Sequence, residues 1–128
     1  MYGTDAQRAY TEAGVLTATP EQLVLMLYDG AIRFLNQGAA AMRGGQVELA
    51  RTRVRRAEAI VEELNLSLDL SQGEVAERLR SIYLFCKRQL IDALLHDNPA
   101  AVETVVKLLS ELREGWQAAV ASAAAATV

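Results

Sequence analysis

The sequence has few of the residues that most often carry chemistry or disulfide bonds. Its 128 residues include one cysteine and one histidine, and aromatic residues make up 5%. One cysteine cannot form an internal disulfide, so the chain suits a reducing compartment. Few aromatic residues beside abundant leucine and alanine favour helix over sheet. We therefore expect an all-α protein without internal disulfides.

The sequence also lacks an excess of positive charge and any apolar run of membrane length. Lys and Arg number 13 against 16 Asp and Glu, which gives a net charge of -3. Such a chain has no general attraction to phosphate or to anionic lipid. No apolar run approaches the roughly 20 residues of a membrane helix, and the first residues do not resemble a secretory signal. We expect a cytoplasmic protein that binds no nucleic acid and does not insert into membranes.

The residue patterns typical of helical enzymes are absent as well. The single histidine, His96, falls at a predicted helix end, where a cation interacts favourably with the helix dipole. A phosphotransfer bundle would place its histidine in mid-helix, and a di-iron bundle would need paired Glu-x-x-His motifs. Gly44-Gly45 reads as a turn between helices rather than as a phosphate loop. The sequence predicts no enzyme, no cofactor and no metal site.

What the chain does contain is a strong helix start followed at once by an unbroken apolar run. Thr19 and Gln22 form a T-x-x-Q capping box, with Pro20 at the first helical position. The run from Leu23 to Tyr28 covers every face of a helix, because neighbouring residues lie about 100° apart. A bundle helix buries one stripe, so part of this surface is expected to contact a partner. This pattern favours a binding protein.

Four helices with short links predict an antiparallel up-down four-helix bundle. The bundle is expected over residues 19–122, after an N-terminal arm, residues 1–18, that is partly mobile; residues 123–128 form a frayed tail. Capping and breaking residues set the limits, including a second capping box from Ser71 to Glu74. The predicted helices run from Thr19 to about Met42, from Gln46 to Leu70, from Ser71 to about His96, and from Pro99 onward, with Asn98 as the last cap.

Apolar residues recur at spacings of three and four along each helix and define the predicted seams. Val47 opens the seam of the second helix, and Val75 opens that of the third. Other apolar residues fall outside the seams. Either they broaden the core, since each bundle helix touches two neighbours, or they line a groove for a partner helix. The residues outside the seams are Leu25, Met26, Ile32, Leu49, Ile60, Leu66, Leu84, Ile91 and Leu95.

Three further features have ordinary structural interpretations. The basic cluster Arg51, Arg53, Arg55 and Arg56 is followed by acidic residues, with Arg55 and Glu58 at helical pairing distance, which favours a solvated, salt-bridged face over a phosphate site. Cys86 lies on a seam and is expected to be a buried, inert thiol. Trp116 is expected to pack its ring in the core, with its N–H at the bundle edge.

Several segments carry a resemblance to a known family. Thr17-Ala18-Thr19-Pro20-Glu21-Gln22-Leu23, followed by Met26 to Leu35, closely resembles the signature of FliS, the bacterial flagellin export chaperone. The likeness extends over about residues 10 to 120, and it is supported by the segment 63–69, by Ile82-Tyr83 with Arg88-Gln89-Leu90, and by Glu111-Leu112-Arg113 with Trp116. Tyr10 and Val15 match the pattern of the family's N-terminal arm. The chain departs from the pattern at Leu84-Phe85-Cys86, where the family is often more polar.

The resemblance implies a cytoplasmic bundle that binds the disordered C-terminal segment of flagellin and prevents premature polymerisation. It also implies delivery to the gate of the flagellar type III export apparatus, without ATP. The alternatives are a structural bundle that associates with itself, for example as a homodimer, or a general adaptor without flagellin specificity. The candidate contacts for flagellin are Tyr10, Val15, Leu25, Met26, Ile32, Ile60, Leu66 and Tyr83.

Overall fold

The computed structural model describes residues 18–126, which form four long α-helices and one short 3₁₀ turn. The predicted N-terminal arm, apart from Ala18, lies outside the described residues. The helices are α1 (Pro20–Arg43), α2 (Val47–Leu66), α3 (Glu74–His96) and α4 (Pro99–Ala126), and the 3₁₀ turn, Leu70–Gln72, lies between α2 and α3.

The predicted start of α1 is confirmed in its atomic detail. The Thr19 hydroxyl accepts a hydrogen bond from the Gln22 backbone N–H at 3.1 Å, and Gln22 Oε1 accepts one from the Thr19 N–H at 2.9 Å. Pro20 occupies the first helical position, where its missing N–H is not needed. The helix ends at Arg43, and Gly45 adopts a φ of 72° that favours glycine. The short turn that follows sends α2 back alongside α1.

The second capping box, predicted at Ser71 and Glu74, is wrong. The carboxylate of Asp69 instead accepts hydrogen bonds from the Ser71 N–H at 3.0 Å and the Ser71 hydroxyl at 2.6 Å. Those bonds hold Ser71 in the 3₁₀ turn, and Gly73, with a φ of 86°, becomes the residue before α3. The helix α2 ends at Leu66, before the predicted Leu70. Ser71 thus belongs to the turn before α3 and is not the N-cap of that helix.

The connection between α3 and α4 follows the prediction. The helix α3 ends at His96, and Asp97 adopts a left-handed φ of 48°. The side-chain oxygen of Asn98 accepts a hydrogen bond from the Ala100 N–H at 3.1 Å, and Pro99 is the first residue of α4. Such a short connection makes α3 and α4 antiparallel neighbours.

The helices pack as the predicted four-helix bundle, in which each helix contacts the helices before and after it and α4 closes against α1. The seam predictions for Val47 and Val75 are wrong. Val47 and Val75 are 59% and 68% exposed, because each lies in the first turn of its helix, beyond the reach of the packed neighbours. The largest fully buried side chains are Leu35, Val54, Val61, Leu64, Cys86, Leu90, Val102, Val105 and Leu109.

Polar contacts at the rim of the bundle show the register between neighbouring helices. Arg43 and Glu103 form a two-pronged pair at 2.7 and 2.9 Å, and Asp29 pairs with Arg113; both pairs join α1 to α4. The half-buried ring of Trp116 packs against the core, and its indole N–H donates to the Glu21 carbonyl at 2.9 Å, as predicted for an N–H at the bundle edge. Ion pairs this exposed add little stability, but they record which turns of α1 and α4 are adjacent.

Candidate partner-binding surface

Large apolar side chains are exposed together where α2 ends and α3 begins. Leu66 is 71% exposed, and Leu70 and Val75 are also largely in solvent. The first turn of α1 lies at the same end, because α1 and α2 are antiparallel, and it adds the exposed Leu23. We call these four residues the apolar end. Exposed apolar residues gathered in one place mark a contact site more often than scattered ones do.

The apolar run of α1 extends this surface along the helix. Tyr28 is buried in the core, whereas Val24 to Leu27 are only partly buried. This gradient follows from helix geometry: the bundle covers one stripe, and the remaining positions of the run stay open to solvent. The expectation that the run exceeds what the bundle alone can bury is therefore confirmed for its first turn, where Leu23 is exposed.

The structure separates the residues proposed from the sequence as partner contacts. Leu66 lies fully on the surface, and Leu25, Met26 and Ile32 are partly exposed on α1. The structure corrects the expectation for Ile60 and Tyr83, which are 8% and 2% exposed and belong to the core. They are buried because each helix packs against two neighbours, so the core is wider than one seam. Tyr10 and Val15 lie outside the described residues.

Tyr83 takes part in a buried contact that the sequence did not reveal. Its hydroxyl lies 2.6 Å from the hydroxyl of Tyr28, so the pair joins α3 to α1 across the diagonal of the bundle. Burial raises the pKa of both tyrosines, and it raises the pKa of the neighbouring Cys86 thiol to about 11. All three groups are therefore neutral at physiological pH. The pair is a structural hydrogen bond inside an otherwise apolar core.

A second set of exposed apolar residues follows the outer face of α3. Leu84, Ile91 and Leu95 are spaced seven and four residues apart, so they share one face, and all three are exposed. Lys87 pairs with Glu62 of the antiparallel α2, which places Leu66 nearly level with Leu84. The apolar end thus continues into this stripe, which runs about 16 Å further along α3.

The arginine-rich part of α2 is only partly salt-bridged, which corrects the predicted solvated ion-pair face. Arg51 pairs with Glu48 at 3.4 Å. The predicted pair of Arg55 and Glu58 is not within ion-pair distance in the described part of the chain, although Arg55 still acts on the pKa of Glu58. Burial outweighs the pull of Arg55 and Lys87, so the pKa of Glu58 is raised.

The described residues contain neither a cluster of metal ligands nor a helix of membrane-spanning length and hydropathy. Within residues 18–126, no three His, Cys, Asp or Glu side chains come together as metal ligands. His96 is exposed at the end of α3, with its Nδ1 at 3.0 Å from the Asp92 carboxylate. No helix in this part of the chain is both long enough and apolar enough to cross a bilayer.

The fold and the exposed surface define an all-helical bundle with an open apolar end. Similarity to known proteins identifies the family. The profile of the family described as "Flagellar protein FliS" matches residues 3–123. The chain therefore belongs to the FliS family of flagellar secretion chaperones.

Named relatives and a solved structure agree with this assignment. The chain is 32% identical to a flagellar secretion chaperone FliS of Salmonella typhimurium, covering 91% of each chain. It is 32% identical to the one of Campylobacter jejuni, covering 91% of this chain and 92% of that one. A crystal structure described as a flagellar chaperone from bacteria superposes with a TM-score of 0.75 at 17% identity, covering 94% of this chain and 98% of that one, which supports the fold.

Proposed function

We propose that this protein is a cytoplasmic export chaperone for flagellin. It binds the disordered C-terminal segment of flagellin, prevents premature polymerisation and assists delivery to the flagellar type III export apparatus. Family membership supports the chaperone role, and the observation that carries the binding role is the apolar end, with Leu66, Leu70 and Val75 all exposed between the end of α2 and the start of α3.

The proposed mechanism is folding coupled to binding. Each large apolar side chain that leaves water contributes roughly 1.5–3 kcal/mol, so a few such contacts give a substantial gross binding energy. The flagellin segment must become ordered as it binds, and that ordering offsets part of the gain. The complex is therefore specific yet releasable, and the cycle needs no catalysis, cofactor or ATP.

The proposed contacts follow from exposure. Leu66 offers the largest apolar surface, and Leu25, Met26 and Ile32 add partly exposed side chains on α1. Tyr10 and Val15 are proposed from the family resemblance alone. The buried Ile60 and Tyr83 act beneath the surface, where they hold the helices that carry it. The loaded complex is the form that a component of the export gate receives.

Calorimetric titration with the C-terminal segment of flagellin from the same organism tests the proposal. We expect saturable one-to-one binding with a large negative heat-capacity change and a gain of helix. Leu66→Asp should weaken that binding at least tenfold, because it places a charge in the apolar contact. The matched control is Val47→Asp, at an exposed valine (59%, against 71% for Leu66) at the opposite end of α2.

Two results would contradict the proposal. One is the absence of binding at high concentration by a protein shown to be folded. The other is equal weakening by the two aspartate variants, which would mean that the apolar end is not the contact. If the free protein also gains mass with concentration, and Leu66→Asp abolishes that gain, a second copy of the chain covers the apolar end and the self-associating bundle is the better account.

A further inference from the structure

Three arginines lie on the face formed by α1 and α2, and two of them are stacked over one phenylalanine. The guanidinium carbons of Arg33 and Arg56 lie over the Phe34 ring, 5.3 and 5.8 Å from its centre. Arg53 lies one turn from Arg56 and beside α1, since its Cβ is 3.6 Å from the position that a Cβ on Gly38 would take. We call Arg33, Arg53 and Arg56 the arginine cluster.

The carboxylates near the cluster are engaged elsewhere. Glu62 pairs with Lys87 of α3, Glu48 pairs with Arg51, and Asp29 pairs with Arg113 of α4. Glu58 responds to Arg55 and Lys87, which places it on the side of α2 that faces α3. Glu63, the next acidic residue of α2, lies two helical turns beyond Arg56, about 10 Å away.

No member of the arginine cluster therefore has a carboxylate within 4 Å in the described part of the chain. The chain as a whole carries a net charge of -3, so the positive charge of this face is opposite in sign to the net charge of the protein. The guanidinium groups of Arg33 and Arg56 lie over the same ring and repel each other, and an anion that bound them would relieve the repulsion and gain charge-assisted hydrogen bonds. The face is thus complementary to negative charge.

The arginine cluster shares α1 with the apolar run. Met26 and Arg33 are two helical turns apart on nearly the same face, a separation of about 10 Å. A ligand on this face would meet apolar side chains towards the start of α1 and positive charge towards its middle. Such a gradient suits a peptide whose apolar and acidic residues are separated along its length.

We propose that the arginine cluster binds an acidic stretch of the flagellin segment and so sets the direction in which the segment lies on the bundle. This inference rests on the proposed function. The apolar anchors of the segment occupy the apolar end and the start of α1, and its carboxylates lie over Arg33, Arg53 and Arg56, about 10 Å from Met26 and about 15 Å from Leu23 and Leu66 along the helices. The charges act first on encounter, because they attract the segment before its apolar contacts form.

The geometry favours an acidic peptide over a nucleic acid. Single-stranded nucleic acids are held by bases stacked on open aromatic rings, and the Phe34 ring already has two guanidinium groups over it. Towards the start of α1, the surface continues into the apolar side chains of Met26 and Leu25. A phosphate backbone would leave that apolar part without a partner.

The test compares association rates of two variants that lose the same charge. The cluster variant carries Arg33→Gln, Arg53→Gln and Arg56→Gln. The control carries Arg43→Gln, Arg51→Gln and Lys107→Gln, three cations outside the cluster and away from the apolar end. Stopped-flow mixing with the flagellin C-terminal segment at low salt should show association about tenfold slower for the cluster variant than for the control.

Added salt should slow association of the wild-type protein and the control, and should change the cluster variant little. A flagellin segment whose acidic side chains are replaced by amides should bind the wild-type protein as slowly as the cluster variant binds the original segment. Combining the two changes should add no further loss, because both remove the same interaction. Circular dichroism melts of each variant verify that the fold is retained.

Failure of the inference and failure of the proposed function give different results. If both charge variants associate alike while Leu66→Asp abolishes binding, the arginine cluster has no role and the proposed function stands. If the wild-type protein does not bind the segment at all, the proposed function is wrong. If the wild-type protein binds a 20-nucleotide uridine RNA at low salt and the cluster variant does not, the cluster is a phosphate site and the inference is overturned.

Discussion

At the scale of single residues, the buried tyrosine pair and the neighbouring thiol are the polar groups that the core must accommodate. The described core residues are otherwise apolar, and no buried side chain there is charged. The two hydroxyls satisfy each other across the bundle, so each makes the burial of the other acceptable. Neither residue can change alone without leaving a buried polar atom unpaired.

A double-mutant cycle on Tyr28 and Tyr83 should show this dependence. Either single change to phenylalanine should lower the free energy of unfolding by about 1–3 kcal/mol, because the remaining hydroxyl loses its partner. The double variant should be at least as stable as the single ones, since both polar groups are gone and the shape is kept. Urea unfolding measures all four proteins, and simple addition of the single losses would contradict the expectation.

The thiol of Cys86 should be slow to react and should make stability depend on alkaline pH. Burial raises its pKa from 9.0 to about 11, so the thiolate fraction at pH 8 is about a hundredfold lower than for an exposed thiol. A thiol reagent should therefore label the native protein at least about a hundredfold more slowly than the urea-unfolded chain. Equal labelling rates would show that Cys86 is accessible.

The sign of the pH effect follows from the raised pKa. Folding favours the neutral thiol, so its contribution to stability is complete below pH 9 and is lost as the pH rises through about 11. The tyrosine pair acts in the same direction, because the pKa of each hydroxyl is also raised. Urea unfolding between pH 8 and pH 11 should show falling stability, and Cys86→Ala should make the decline shallower.

At the scale of helices, the close approach of α1 and α2 depends on a small residue. A Cβ added to Gly38 would lie 2.8 Å from the Val54 side chain, so alanine there requires that buried side chain or the helices to shift. Gly38→Ala should lower the free energy of unfolding by about 1–3 kcal/mol. Gly115→Ala is the matched control: it meets no atom within 4 Å and should raise stability by about 0.5–1 kcal/mol, since alanine favours helix.

Thermal and urea unfolding of the two glycine variants test that difference in sign. If Gly38→Ala were neutral, the two helices would have room to separate and their packing would be looser than described. If Gly115→Ala were destabilising, α4 would not be a regular exposed helix at that position.

Helix ends also show why some sequence predictions succeed and others do not. The capping box at Thr19 was predictable because both partners lie within the same four residues and nothing competes for them. The capping box predicted at Ser71 is wrong because the carboxylate of Asp69, two residues away, accepts the hydrogen bonds of Ser71 and holds it in the 3₁₀ turn. Val47 and Val75 fit the seam spacing, yet they are exposed because helical spacing does not tell where the neighbouring helix stops.

At the scale of the whole molecule, the fold was predictable and the candidate site only partly so. Four helices with short links have one simple antiparallel arrangement, and the described residues adopt it. Ile60 could not be told from Leu66 by sequence, since both fall outside the seam of α2. Only the position of α1 and α3 decides that the former is buried and the latter exposed. The arginine cluster joins two helices, so no local pattern reveals it.

Binding of a ligand at the apolar end leads to a final prediction about stability. A ligand that binds only the folded state stabilises it, by about 2.7 kcal/mol when its free concentration is a hundred times its dissociation constant. The flagellin C-terminal segment should therefore raise the melting temperature of this protein with increasing concentration. Leu66→Asp should remove most of that shift, because an exposed residue supports the contact and contributes little to the isolated fold.

Differential scanning calorimetry separates these two effects. Without the segment, the melting temperature of Leu66→Asp should lie close to that of the wild-type protein, since Leu66 is already 71% exposed in the last turn of α2. With the segment, only the wild-type protein and the Val47→Asp control should gain stability. An equal gain in all three would move the contact away from the apolar end. A large loss in the free Leu66→Asp variant would instead show that this leucine supports the bundle itself, and its exposure would then not mark a binding surface.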